Sequence, residues 1–95
     1  MTAVLGVLQF SLLIRGSRSL KDKRRVVRSL KDRYKSRYNV SVAEVDDQDL
    51  INKATLAMAM AGSDREYVGS TLTRILEQVR FHPEAELIDH SLEIL

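Results

Sequence analysis

A chain of 95 residues with 44% hydrophobic content supports one small domain with one modest core. The absence of Cys excludes a disulfide framework, a thiolate metal site and a cysteine-dependent enzyme. One Pro, four Gly, 29% charged residues and a net charge of +2 exclude a low-complexity or disordered chain and leave an ordinary globular composition.

Residues 1–14 are apolar, yet they carry no basic leading segment and no small-residue cleavage site. The run is also shorter than the roughly 20 residues that span a bilayer. A soluble, cytoplasmic protein with no membrane partner is expected, and a Cys-free composition suits that compartment. Within residues 4–14, the even positions Val4, Gly6, Leu8, Phe10, Leu12 and Ile14 form one apolar face. The odd positions Leu5, Val7, Gln9, Ser11 and Leu13 are mixed. That alternation predicts a central strand with one face on the core.

Ser19-Leu20-Lys21-Asp22 predicts a helix start. Ser19 is placed to accept from the N–H of residue 22, and Asp22 to reach back to the N–H of Ser19. Leu20, Val27, Leu30, Tyr34 and Tyr38 then recur at helical spacing as one stripe, and the helix should end near Asn39. The two tyrosines are expected to pack with their hydroxyls at the rim. Residues 40–45 read as a second strand and the Asp-rich residues 46–49 as a turn. Residues 54–61 read as a third strand, with Leu56, Met58 and Met60 on one face and the smaller Thr55, Ala57, Ala59 and Ala61 on the other.

A second capping box, Ser63-Asp64-Arg65-Glu66, opens a second helix. Its stripe is Tyr67, Val68, Leu72, Ile75, Leu76 and Val79, and His82-Pro83 stops it. Residues 85–95 give a last strand with Ile88, Leu92 and Ile94 on one face. The order β-α-β-β-α-β predicts a single α+β, ferredoxin-like domain over residues 1–95. Two helices would cover one face of a four-stranded antiparallel sheet.

The small net charge hides a strong split. Residues 15–37 hold eleven of the fifteen basic residues and only two acids, a local charge of +9 against −7 in the remainder. Lys21, Arg24, Arg25, Arg28, Lys31 and Lys35 fall on one flank of the first helix, and Arg15 and Arg18 lie in the loop before it. These eight are the candidates for contacting phosphates or other anions. A solvated helix face is the plain alternative, but such a face usually mixes signs. The loop is not a P-loop, because the Gly-Lys spacing is missing.

Base stacking on the open sheet face is disfavoured, since its expected residues include no aromatic. The same face, with Leu5, Val7, Thr55, Ala57, Ala59 and Ala61, suits close packing against another chain. A homo-oligomer is therefore expected. Asp46, Asp47 and Asp49 read as turn chemistry rather than as a metal site. His82 suits a helix end, His90 shares parity with Ile88 and Leu92 and reads as a partly buried strand residue, and Glu44, in a strand otherwise rich in Val, reads as a candidate poised carboxylate; a structural role is the plainer expectation for each. No nucleophile, base and orienter set is readable, so neither an enzyme nor a cofactor is expected.

Ser19-Leu20-Lys21-Asp22-Lys23-Arg24-Arg25-Val26-Val27 resembles the opening motif of the YlxP-like family of small uncharacterised bacterial proteins. The segment from Asn39 to Asp46, with Gln48 and Asp49, resembles its second block, and the segment from His82 to Leu87 resembles its tail. The resemblance implies a ferredoxin-like fold. It also implies a role near ribosomal RNA, because members of that family are often encoded beside translation and ribosome-maturation factors. It implies no catalytic residue. The leading expectation is a non-enzymatic module that contacts RNA, or a ribosomal particle, through the basic helix. The alternative is a homo-oligomeric interaction module whose basic helix meets an acidic protein surface.

Overall fold

The computed structural model describes residues 2–95. The elements run β1 (Val4–Leu13), α1 (Leu20–Arg37), β2 (Ser41–Asp46), β3 (Lys53–Gly62), α2 (Arg65–Arg80) and β4 (Glu86–Ile94). The four strands form one antiparallel sheet in the order β2-β3-β1-β4. Helix α1 packs on β2 and β3, and α2 on β1, β3 and β4. This is the ferredoxin-like arrangement expected from the element order. Neither helix is long and apolar enough to cross a membrane.

Alternation in the central strands decides the core. Leu8, Phe10, Leu12, Leu56, Met58 and Met60 are all buried under the helices. Gly6 lies on that covered face because α2 comes close to it. A Cβ there would sit 2.6 Å from Val68 Cγ1 and 2.7 Å from Leu72 Cδ1. Gly6→Ala is therefore expected to destabilise the fold by about 1–3 kcal/mol through overpacking. Urea unfolding measures this, and Gly16→Ala is the comparison, since a Cβ at Gly16 meets nothing within 4 Å.

Several local expectations are corrected. In β4, Ser11 pairs with Asp89 and Leu12 with Leu87, so Ile88 is the extra residue of a bulge. Leu87 packs against the core in place of Ile88, which is exposed. His90 is also exposed, and its Nε2 lies 3.3 Å from Arg80 Nη2. The second helix is capped by Asp64, which accepts from the N–H of Glu66, one position later than expected for Ser63. Tyr67 leaves the α2 stripe and is exposed, while Thr71 joins it. Tyr34 is wholly buried with no hydrogen-bond partner for its hydroxyl among the described residues, and this burial raises its pKa. Tyr38 Oη, by contrast, accepts from Gln78 Nε2 at 3.1 Å and so links the two helices.

Candidate nucleic-acid interface

The basic face is built on α1, whose start is fixed locally. The N–H of Asp22 donates to Ser19 Oγ at 3.1 Å, and Asp22 Oδ2 accepts from the N–H of Arg18 at 3.0 Å. The second bond goes to Arg18 rather than to Ser19, one residue earlier than expected. The first free amides of the helix are thus partly occupied by its own side chains.

At 100° per residue, Lys31, Arg24, Lys35, Arg28 and Lys21 fall within about 80° of one another on the side away from the sheet. Arg24, Arg28, Lys21 and Lys35 are exposed and Lys31 is half-buried. Arg18 is exposed at the head of the row. None of these six forms an ion pair with another described residue. A shallow groove along the outer side of α1 includes Lys21, Arg24, Arg28 and Arg33, with Asp32 among them.

Two of the eight candidates are engaged. Arg15 Nη2 lies 3.2 Å from Glu86 Oε2, and Arg25 Nη2 lies 2.8 Å from Glu84 Oε2. The bond to Arg25 holds the Glu84 carboxyl below its usual pKa and raises that of Arg25. Both pairs are exposed, and such pairs hold weakly enough to open for a competing anion.

These pairs border a cleft of about 540 Å³ between the β1–α1 loop and the α2–β4 loop. Its buried lining includes Ile14, Val26 and Ala85, and its exposed lining includes Arg15, Gly16, Arg25, Pro83, Glu84 and Glu86. His82, next to the cleft, has its pKa lowered mainly by burial, with Glu84 opposing the shift and Arg33 reinforcing it. Phe81 projects from the end of α2 at 83% exposure, a feature that the apolar spacing did not flag.

Lys23 is the residue that sequence reasoning missed. It counts among the eleven basic residues, yet it is only 1% exposed. Its Nζ donates to the carbonyls of Asp47 at 2.8 Å, Gln48 at 3.1 Å and Lys53 at 3.2 Å, and it lies 3.0 Å from Glu44 Oε2. Glu44 pairs in register with Leu56, so its side chain points to the helix-covered face. Glu44 is thus the partner of a buried ammonium. Ser17 Oγ also donates to the carbonyl of Ile51, and the N–H of Ile14 to that of Asn52 at 2.7 Å. Lys23, Ser17 and Ile14 together tie the β2–β3 loop to the head of α1.

Asp47 of that loop and Asp46 at the end of β2 serve the same structure. Asp47 adopts a left-handed φ of 64°, and its Oδ2 accepts from Thr55 Oγ1 at 2.7 Å. Asp46 Oδ1 accepts from the N–H of Asp47 at 2.8 Å. No cluster of three or more candidate metal ligands occurs among the described residues.

The oligomer candidates lie on the sheet face away from both helices. Leu5 pairs with Ala61, Val7 with Ala59, Gln9 with Ala57 and Ser11 with Thr55. Leu5 and Ala61 are exposed, and Val7, Ala57 and Ala59 are half-buried. Thr55 is buried, and its hydroxyl is shared by Ser11 and Asp47.

Comparison with known proteins gives two matches over most of the chain. Residues 5–92 match a family model described as a protein of unknown function, DUF503. The chain is also 29% identical over 83 residues to the uncharacterized protein YlxP of Bacillus subtilis (strain 168), covering 87% of this chain and 90% of that protein.

Proposed function

The chain belongs to the DUF503 family, and from that premise we propose that it is a non-enzymatic binding module that holds RNA phosphates on the outer face of α1. The observation that carries this reading is a row of cations left unpaired. Lys21, Arg24, Arg28, Lys31 and Lys35 follow one side of the helix, with Arg18 at its head, and none is neutralised by a described carboxylate. Side chains of this type contact phosphates and position a protein on RNA with little regard to base sequence. The resemblance noted from sequence points to a ribosomal particle as the setting.

Six phosphate contacts set the expected salt dependence. Affinity for a structured RNA should fall by about a thousandfold between roughly 50 and 200 mM monovalent salt, through counterion release. Fluorescence anisotropy with a labelled RNA measures it. Absence of binding at the low-salt end overturns the proposal.

A second reading has its own observation. Among the described residues, no helix covers the face formed by Leu5, Val7, Ala57, Ala59 and Ala61. A homo-oligomer joined there, with its basic helix left to meet an acidic protein surface, also fits the fold. Sedimentation at rising salt separates the modes of assembly. A pair held by the sheet face persists, whereas a pair held by charge dissociates as screening sets in. A monomer at every salt concentration ends this reading.

A further inference from the structure

We propose that the cleft between the β1–α1 loop and the α2–β4 loop receives one unpaired purine of the RNA held by α1, an inference that rests on the RNA reading above. At about 540 Å³ the cleft falls within the size range of small-ligand pockets. Its floor is mostly apolar: Ile14, Val26 and Ala85 are buried and line it, beside Ser17, whose hydroxyl is already bonded to the carbonyls of Ser19 and Ile51. Such a floor suits the flat face of a base. The rim carries the opposite chemistry. Glu84 and Glu86 present carboxylates, which accept hydrogen bonds and donate none when ionised. Their natural complement is the amino and imino N–H edge of a purine such as guanine. Each carboxylate offers about four lone-pair sites, so the bonds from Arg25 and Arg15 leave acceptors free.

The cleft is also continuous with the phosphate track. Asp22 and Arg25 line both the cleft and the outer groove of α1. A strand whose phosphates follow Lys21, Arg24 and Arg28 therefore arrives at the cleft mouth. Arg25 and Arg15 stand there, held only by exposed pairs that a phosphate can open. The exposed ring of Phe81, two residues before Pro83, offers a stacking surface to a neighbouring base. A base stacked and paired inside a duplex cannot reach the floor, so the cleft selects RNA with a bulge or loop.

The test uses the full chain and two labelled RNA duplexes of equal length, one fully paired and one with a single bulged guanosine. The bulged RNA is expected to bind about tenfold more tightly, a modest value for one stacked base. Gly16→Trp should reduce that ratio to about one with affinity for the paired RNA unchanged. Position 16 lines the cleft and has open space, so the indole blocks the mouth without disturbing the core. Glu84→Gln combined with Glu86→Gln should also lower the ratio, while the lost negative charge strengthens binding to the paired RNA. Equal affinity of the unaltered protein for both RNAs overturns the proposal, as does a preference that survives both variants. Failure of the RNA reading itself looks different: neither RNA binds at low salt.

Discussion

Replacing Lys23 by methionine is expected to lower the unfolding free energy by about 3 kcal/mol, the lower end of the cost of breaking a buried ion pair from one side. For a domain of this size that corresponds to a fall in melting temperature of about 12 °C or more. Methionine keeps most of the stem volume, so the loss reports the ammonium rather than packing. Without it, Glu44 keeps a mostly buried carboxylate with no cation, and the carbonyls of Asp47, Gln48 and Lys53 lose their shared donor. Glu44→Gln should cost less, about 1 kcal/mol, because the ammonium retains its carbonyl bonds. Joining Lys23→Met to Glu44→Met should recover only part of the loss, since all three carbonyls still lose the ammonium and only that of Asp47 keeps a second donor, the N–H of Leu50. Urea unfolding of the three variants reads all of these values. A Lys23→Met protein within about 0.5 kcal/mol of the parent would show that this tie adds no more than an ordinary surface residue.

Reversing two charges of the helix row is expected to have the largest effect on RNA binding. Arg24→Glu combined with Arg28→Glu removes two of the six proposed phosphate contacts and adds repulsion. At about 0.1 M salt this should weaken binding by about a hundredfold and lower the salt slope by about 2. Stability should be nearly unchanged, because both arginines are exposed and have no described ion-pair partner. Arg65→Glu combined with Arg74→Glu makes the same change in net charge on α2. If the row on α1 is the interface, this control loses far less affinity. Equal losses from the two pairs would mean that total charge governs binding and the row does not.

The fold was legible in the sequence wherever one period held. Alternation in β1 and β3 and helical spacing in α1 and α2 place nearly all of the core, and the element order makes the ferredoxin-like topology the leading one. Legibility failed where a period breaks. The bulge in β4 shifts parity by one, so Ile88 leaves the face it is expected to share with Leu92 and Ile94, and the half-buried Leu87 takes its place against the core. Alternation alone cannot reveal an inserted residue.

The basic segment was legible as a sum and less so as a surface. Its charge excess is plain from the order of residues along the chain, but the engagement of Arg15 and Arg25 depends on Glu86 and Glu84, far away in sequence. Lys23 was within reach. It stands four residues before Val27, seven before Leu30 and eleven before Tyr34, on the same stripe. A lysine at a core position of a helix implies a buried partner, and Glu44, set among the valines of β2, is the matching signal. Two of the three segments that carry the family resemblance meet in space at this pair.

The two-layer build also sets how contacts can add. The helices lie on one side of the sheet and the uncovered face of β1 and β3 lies on the other. A polyanion on α1 and a second copy on the sheet would not compete for space. Joining copies back to back would leave their basic helices pointing outward on opposite sides. Each weak, salt-sensitive contact would then become half of a bivalent grip. Avidity would rise through effective concentration, without any new residue touching RNA.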